Sequence, residues 1–360
     1  MRRSLAIQAA SAPTPSKVRR TGRADPTYGS DRTGLVWGYV FAPGETPREV
    51  DSDTAARLLA ESDKTSSFLW LHFSLSNVAS ERWLEEHVEP PEEFFASLRE
   101  GVGSTRLEQY EDALVAILHD VLFEFALDPD QVATVGLLVR PRYLVSTRLR
   151  PLRSIDRLRA VVRGGETFRS SVDLLAHLLR DQAGVLVEIV RQVTSRVDAI
   201  EDGILRRRIG ASRSELGSLR RVLVRLQRLL APEPPALFRL LGRPPHWISD
   251  DDQRDLRQSA EEFATAVADS VALVERVRLI QEELATLISE GTNRSLFLLT
   301  VLTVLALPFN VVGSLLGMNV GGIPFAESPV GFTVIVLFVV GLTTVAWKIF
   351  RRRRGPEDPR

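Results

Sequence analysis

No cysteine occurs among the 360 residues. That absence removes disulfides, thiolate zinc sites and cysteine nucleophiles together. Histidine is scarce: His72, His87, His119, His177 and His246 are scattered, with no His-x-x-x-His pair, which excludes a finger-type structural zinc site. Neither charge is in excess, since Lys plus Arg and Asp plus Glu both total 46, so no global field argues for nucleic acid. Enzyme signatures are missing as well: there is no Walker phosphate loop, no Gly-x-Ser-x-Gly and no His-Glu-x-x-His. The N-terminus lacks the apolar core of a signal peptide.

Charge is also missing locally. Between Arg294 and Lys348 only Glu327 is ionisable, and a stretch that poor in charge is no ordinary surface. Residues 1–33 are the reverse, rich in Arg, Ser, Pro and Ala, and read as a disordered, solvated tail.

What is present divides the rest of the chain. Residues 34–165 read as a mixed α/β (α+β) cytoplasmic domain. Strands are expected at Leu35–Phe41, Phe68–Phe73, Ala113–Leu127, Val132–Val139 and Arg142–Thr147, with helices at Ser52–Glu61 and Val78–His87. Residues 166–294 read as a helical bundle and a stalk helix. Val172, Leu179, Leu186, Val193 and Ile200 keep a seven-residue period, interleaved with Ala176, Ala183, Val190, Val197 and Ile204. Two such series make a continuous apolar seam on one helix. Leu216–Leu230 reads as a shorter helix ended by the proline-rich Ala231–Pro235. Ser249 followed by Asp250, Asp251 and Asp252 is a helix start, and no proline intervenes before Pro308. Unbroken to Leu316, that helix is about 100 Å long at roughly 1.5 Å per residue, which suits a stalk between a soluble domain and a membrane.

Residues 295–316 form the first expected transmembrane helix and 330–350 the second, each long enough to cross a hydrocarbon core of roughly 30 Å. Arg294 precedes the first; Lys348 and the basic tail, 351–360, follow the second; the loop 317–329 has no Lys or Arg. Both termini are therefore expected in the cytoplasm and the loop outside. Within the first span, Thr300, Thr303, Asn310 and Ser314 are polar. Threonine hydroxyls can return to their own backbone, but a carboxamide facing lipid is costly, so Asn310 faces a neighbouring helix or a wet pore.

The loop opens Gly317-Met318-Asn319 and continues Val320-Gly321-Gly322-Ile323-Pro324. Gly-Met-Asn between two terminal spans resembles the CorA superfamily of metal-ion transporters, and the continuation is more like its zinc-transporting ZntB branch. The magnesium branch has an aromatic residue after the motif and an acid after the loop proline; here Phe325 follows Pro324 and Glu327 is displaced. The resemblance extends from about Leu35 to Arg351, including Tyr143–Arg148 and Trp247–Asp251.

The resemblance implies a homopentameric funnel with the first span around the pore and the second facing lipid, in a cytoplasmic (inner) membrane. It implies Gly317, Met318 and Asn319 as the entrance motif, with Asn319 presenting a neutral oxygen to a hydrated cation. It places Ser314, Asn310, Leu307, Thr303, Thr300, Leu296 and Asn293 near the axis, a spacing of mostly three or four residues that one helical face requires. Leu307 and Leu296 would be apolar constrictions. The implied cargo is zinc, with cadmium, magnesium, cobalt and nickel as further candidates and a proton as coupled ion; no bound cofactor is implied. Neither span offers imidazole or thiolate, so zinc would cross at least partly hydrated. No carboxylate lies in either span; Glu282, Glu283 and Glu290 are the nearest candidates for ion attraction or proton coupling. The arginines from Arg148 to Arg163 and from Arg206 to Arg228 read as solvated faces and ion pairs rather than a nucleic-acid surface. Two alternatives stand beside zinc transport: a magnesium, cobalt or nickel channel of the CorA type, and a membrane-anchored scaffold or signalling protein.

Overall fold

The computed structural model describes residues 29–61, 67–99, 105–110, 112–206, 212–318 and 330–353. Seven strands form one sheet: β1 (Leu35–Phe41), β2 (Arg48–Val50), β3 (Phe68–Ser74), β4 (Arg106–Gln109), β5 (Leu114–Val121), β6 (Val132–Arg140) and β7 (Tyr143–Arg148). Their order is β2-β1-β3-β7-β6-β5-β4. Only the central β3–β7 pair is parallel; the other neighbours run antiparallel.

Helices cover both faces, which explains why β5 and β7 are buried along their whole length instead of alternating. On one face Leu71, Phe73 and Val145 pack with Ala55 of α1 (Ser52–Ala60), Trp83 of α2 (Ala79–His87) and Phe94 of α3 (Glu92–Arg99). On the other, Trp37, Trp70, Leu118 and Leu144 pack with Leu158 of α4 (Arg153–Arg163) and Leu175 of α5 (Ser171–Leu205). The same core takes in Leu237 of α7 (Glu233–Gly242) and Leu256 of α8 (Asp250–Leu316). Gly136 is required where α3 lies on β6: a Cβ there would meet Thr147 Oγ1 at 2.6 Å and Leu98 Cδ2 at 2.7 Å.

The sequence reading is amended in four places. The run after Ala113 is strand only to Val121, because Leu122 enters a turn that brings Phe125 N–H onto its carbonyl at 3.0 Å. Arg153–Arg163, read as a basic run, is helix α4 with one buried stripe. Helix α6 (Ser212–Leu230) begins four residues before Leu216. The proline-rich stretch after it starts a helix as well as ending one: Pro234 and Pro235 sit in the first turn of α7, where no N–H is needed. Strands β2 and β4 and helix α3 were not anticipated.

Backbone contacts divide the chain into two compact units. One comprises the chain up to Ala199 with Gly217–Glu275; the other comprises Ile200–Leu216 and the chain from Arg276 onward. In the first, α8 opens on a reciprocal cap: Ser249 Oγ accepts from Asp252 N–H at 3.1 Å and donates to the Asp252 carboxylate at 2.8 Å. In the second, Arg276 pairs with Glu201, and Val277, Ile280 and Leu284 are buried along one side of α8. Helix α8 continues for 67 residues with Pro308 inside it; α9 is Gly331–Arg353. These two helices are long and apolar enough to cross a membrane, with mean hydropathy of 2.2 over an 18-residue window of α8 and 1.8 over Gly331–Lys348.

Candidate functional site

The C-terminal third of α8 is apolar on nearly every side, and α9 takes only one of them. Val301, Leu305, Pro308 and Val312 are half-buried while the positions between them are largely exposed. Leu305 and Phe309 face Val340, Thr343 and Thr344 of α9 across one crease; Pro308, Val311 and Val312 face Phe338, Val339 and Leu342 across the other. Val339 is the most deeply buried large residue of α9.

At 3.6 residues per turn, Asn293, Leu296, Thr300, Thr303, Leu307, Asn310 and Ser314 centre about 140° around α8 from the α9 contact. All seven are exposed, Leu296 at 56% and Leu307 at 60%; Leu307 also borders a crease against α9. Thr300 and Thr303 donate their hydroxyls to the Leu296 and Leu299 carbonyls, both at 2.8 Å. A returned hydroxyl leaves its oxygen lone pairs directed outward while costing the helix little. Asn310 is different: among the described residues its carboxamide has no hydrogen-bond partner, and its position in an apolar segment leaves that polarity unspent.

The three stalk carboxylates separate by face. Glu282 lies within about 30° of the centre of the polar face, and Arg278, one turn earlier, pairs with it at 3.8 Å. Glu283 and Glu290 fall on the side of α8 that higher up meets α9. All three are exposed.

At the end of α8, Gly317 N–H closes the last turn on Gly313 O at 2.9 Å, and a Cβ at Gly317 would sit 3.0 Å from that oxygen. Met318 is exposed. Asn319, Val320, Gly321, Gly322, Ile323, Pro324 and Glu327 lie outside the described residues. Among the described residues, no three His, Asp or Glu side chains come together as a metal site.

Four arginines of the basic run in the first unit are engaged within the fold, while Arg150 and Arg163 are exposed. Arg157 pairs with Glu188 at 2.6 Å, Arg153 donates to the Phe123 carbonyl at 3.2 Å, and Arg148 lies 3.7 Å from Asp156. The Arg159 guanidinium stacks over Trp37 at 4.2 Å, while His72 stacks on Trp37 with ring centres 4.1 Å apart. Burial, with Arg148 and Arg159 nearby, holds the His72 pKa well below its ordinary value. His72 is therefore a neutral core residue that accepts or donates to Ser146 Oγ at 2.8 Å.

Comparison with known proteins bears on the whole arrangement. A family profile described as CorA-like Mg2+ transporter protein matches residues 65–352. The chain belongs to this family. CorA-like proteins are transporters rather than enzymes, and the family supplies the coarse function, divalent-cation transport. The divalent cation transporter CmaX of Pseudomonas aeruginosa is 29% identical over 331 residues, which cover 90% of this chain and 97% of CmaX. The zinc transport protein ZntB of Pectobacterium atrosepticum is 26% identical over 285 residues, 79% of this chain and 87% of ZntB. The structure of full-length CmaX superposes with a TM-score of 0.75 at 26% identity, covering 91% of this chain and all of CmaX. The CorA magnesium transporter of Methanocaldococcus jannaschii shares the fold, with a TM-score of 0.71 at 18% identity over 88% of this chain and 98% of that one.

Proposed function

We propose that this member of the CorA-like family carries zinc across the inner membrane through a pore lined by α8. One pair of helices cannot enclose a water-filled path, so the reading requires an oligomer, and a homopentamer is the assembly proposed. Residues 295–316 and 330–350 are the spans, 317–329 the external loop, and both termini are cytoplasmic, with Arg294 and the basic residues from Lys348 onward at the inner surface.

The observation that carries the reading is the exposed face from Asn293 to Ser314, polar at five of seven positions and turned away from α9. A scaffold anchored by two helices gives no reason for such a face. In the pore, Asn310, Thr303 and Thr300 would hydrogen-bond the water around a cation, and Leu307 and Leu296 would be the narrow dry points. Asn319, with Gly317 and Met318, would meet the ion first, supported by Val320–Pro324. Glu282 would attract cations at the inner end, and shares the pore side with Asn293 as Glu283 and Glu290 do not.

Uptake of radioactive zinc into vesicles holding the purified protein, with and without a pH gradient, tests the cargo and its coupling. Zinc entry accelerated by an inward proton gradient is the expected result. The family description and the shared fold of a magnesium transporter favour a second cargo; magnesium carried while zinc only blocks would select it.

A further inference from the structure

Strand β4 ends at Arg106, opposite Ile117 of β5, so β5 runs on past its edge partner. Residues of odd number in β5 point their N–H and C=O toward that edge, since the even Leu122 bonds to β6 through Gln131 at 2.9 Å. His119 is thus left with both backbone groups facing the gap. Two buried side chains fill it. Glu233 Oε1, from the first residue of α7, accepts the His119 N–H at 2.7 Å. Gln182 Nε2, from α5, donates to the His119 carbonyl at 3.0 Å. A carboxyl and a carboxamide together take the two backbone groups of His119.

The exchange leaves an imbalance. Glu233 Oε2 and Gln182 Oε1 are both buried, both acceptors when the carboxyl is ionised, and neither has a partner. Two unpaired acceptors on either side of one residue are costly in a dry site. A hydrogen on Glu233 removes the buried charge and turns one of the unpaired acceptors into a donor. Among the described residues no lysine or arginine offsets the carboxylate: the titratable groups acting on Glu233 are His119, whose Nδ1 lies 3.7 Å away, and Asp120. From the other packed helices come Gln182 of α5 and Ser154 of α4, neither of which titrates. Ser154 is held by Asp120 through its N–H at 2.8 Å and its hydroxyl at 2.9 Å.

We propose that Glu233 is a proton-operated latch: with a proton on its carboxyl it clips α7 to the open end of β5, and loss of that proton to water releases α7. The direction agrees with burial, which raises the Glu233 pKa above its ordinary value. The second buried acid, Asp120, adds repulsion once both are ionised. The latch would make the packing of this domain respond to alkalinisation, independently of which ion crosses the membrane.

The test is amide hydrogen exchange by mass spectrometry on the full chain in lipid nanodiscs, following Glu233–Gly242. After correction for intrinsic rate, protection there should fall at least about tenfold as pH is raised from the ordinary carboxyl range to about pH 9. Glu233→Gln, which keeps an acceptor for the His119 N–H and has no proton to lose, should hold its protection across that range. Asp120→Asn, which removes the negative charge that opposes Glu233 ionisation, should end the loss at lower pH and make it smaller. A flat wild-type profile would overturn the proposal, as would the same loss in Glu233→Gln or an unmoved midpoint in Asp120→Asn.

Discussion

Asn310 concentrates the residue-scale argument. An asparagine exposed in a charge-free segment is expensive against lipid and useful against water, so its replacement separates the two environments. Asn310→Leu should lower ion uptake by roughly tenfold or more, by removing a polar step from the pathway, while the assembled protein stays at least as stable in detergent. Equal uptake by the variant would place Asn310 outside the pathway. A second residue sets a pH dependence. Burial pushes the Asp120 pKa from 3.8 up to about 7, against the opposing pull of the Ser154 and Val121 hydrogen bonds. The folded state therefore keeps a proton that the unfolded chain has lost, and stability drains away as pH rises between those two values. Thermal melts across that window should show this decline in the wild type and a flatter profile in Asp120→Asn. Neither Asp120 nor Glu233 could be singled out from the sequence, because each looks like any other acid beside an apolar run. Their burial depends on the starts of α4 and α7 packing against the far end of β5, a tertiary fact.

At the scale of elements, faces decide the outcome. The stripe from Asn293 to Ser314 came from the family resemblance, and its three- or four-residue rhythm is what one face of a straight helix requires. The separation of Glu282 from Glu283 and Glu290 follows from the same rhythm, but only a continuous α8 fixes its phase over so many turns. Glu282→Gln should slow uptake several-fold at low salt and less at high salt, as loss of a screened attraction requires. Glu290→Gln should leave the rate unchanged; equal effects would mean that the polar face does not continue into the stalk. In the sheet, β3, β6 and β7 were legible because their apolar runs are bounded by turns. β2 and β4 were not, being short, polar edge strands without alternation. Helix α3 offers a stability test. Gly136→Ala places a methyl against Leu98 and Thr147, which should cost roughly 1–3 kcal/mol by overpacking, read from denaturant melts of the domain.

For the whole molecule, composition said more than any single motif. A chain of balanced charge that withholds nearly all of it from one terminal stretch announces a membrane segment, and the long α8 and the family assignment agree with that reading. The Gly317-Met318-Asn319 motif pointed to the right family, yet the choice of ion was not legible. Cation selectivity in a hydrated pore depends on ring diameter and water geometry, which one chain's side-chain list does not encode.

The absence of cysteine supplies the most direct test of the central claim, that one face of α8 borders water in the assembled protein. Single cysteines introduced as Thr303→Cys, Asn310→Cys and Ser314→Cys can be compared with Val301→Cys, Leu305→Cys and Val312→Cys in an otherwise thiol-free chain. In reconstituted vesicles the first three should react with a charged, water-soluble thiol reagent and lose metal uptake on reaction, while the second three stay inert. Reaction confined to 301, 305 and 312, or no reaction at any of the six, would contradict the account.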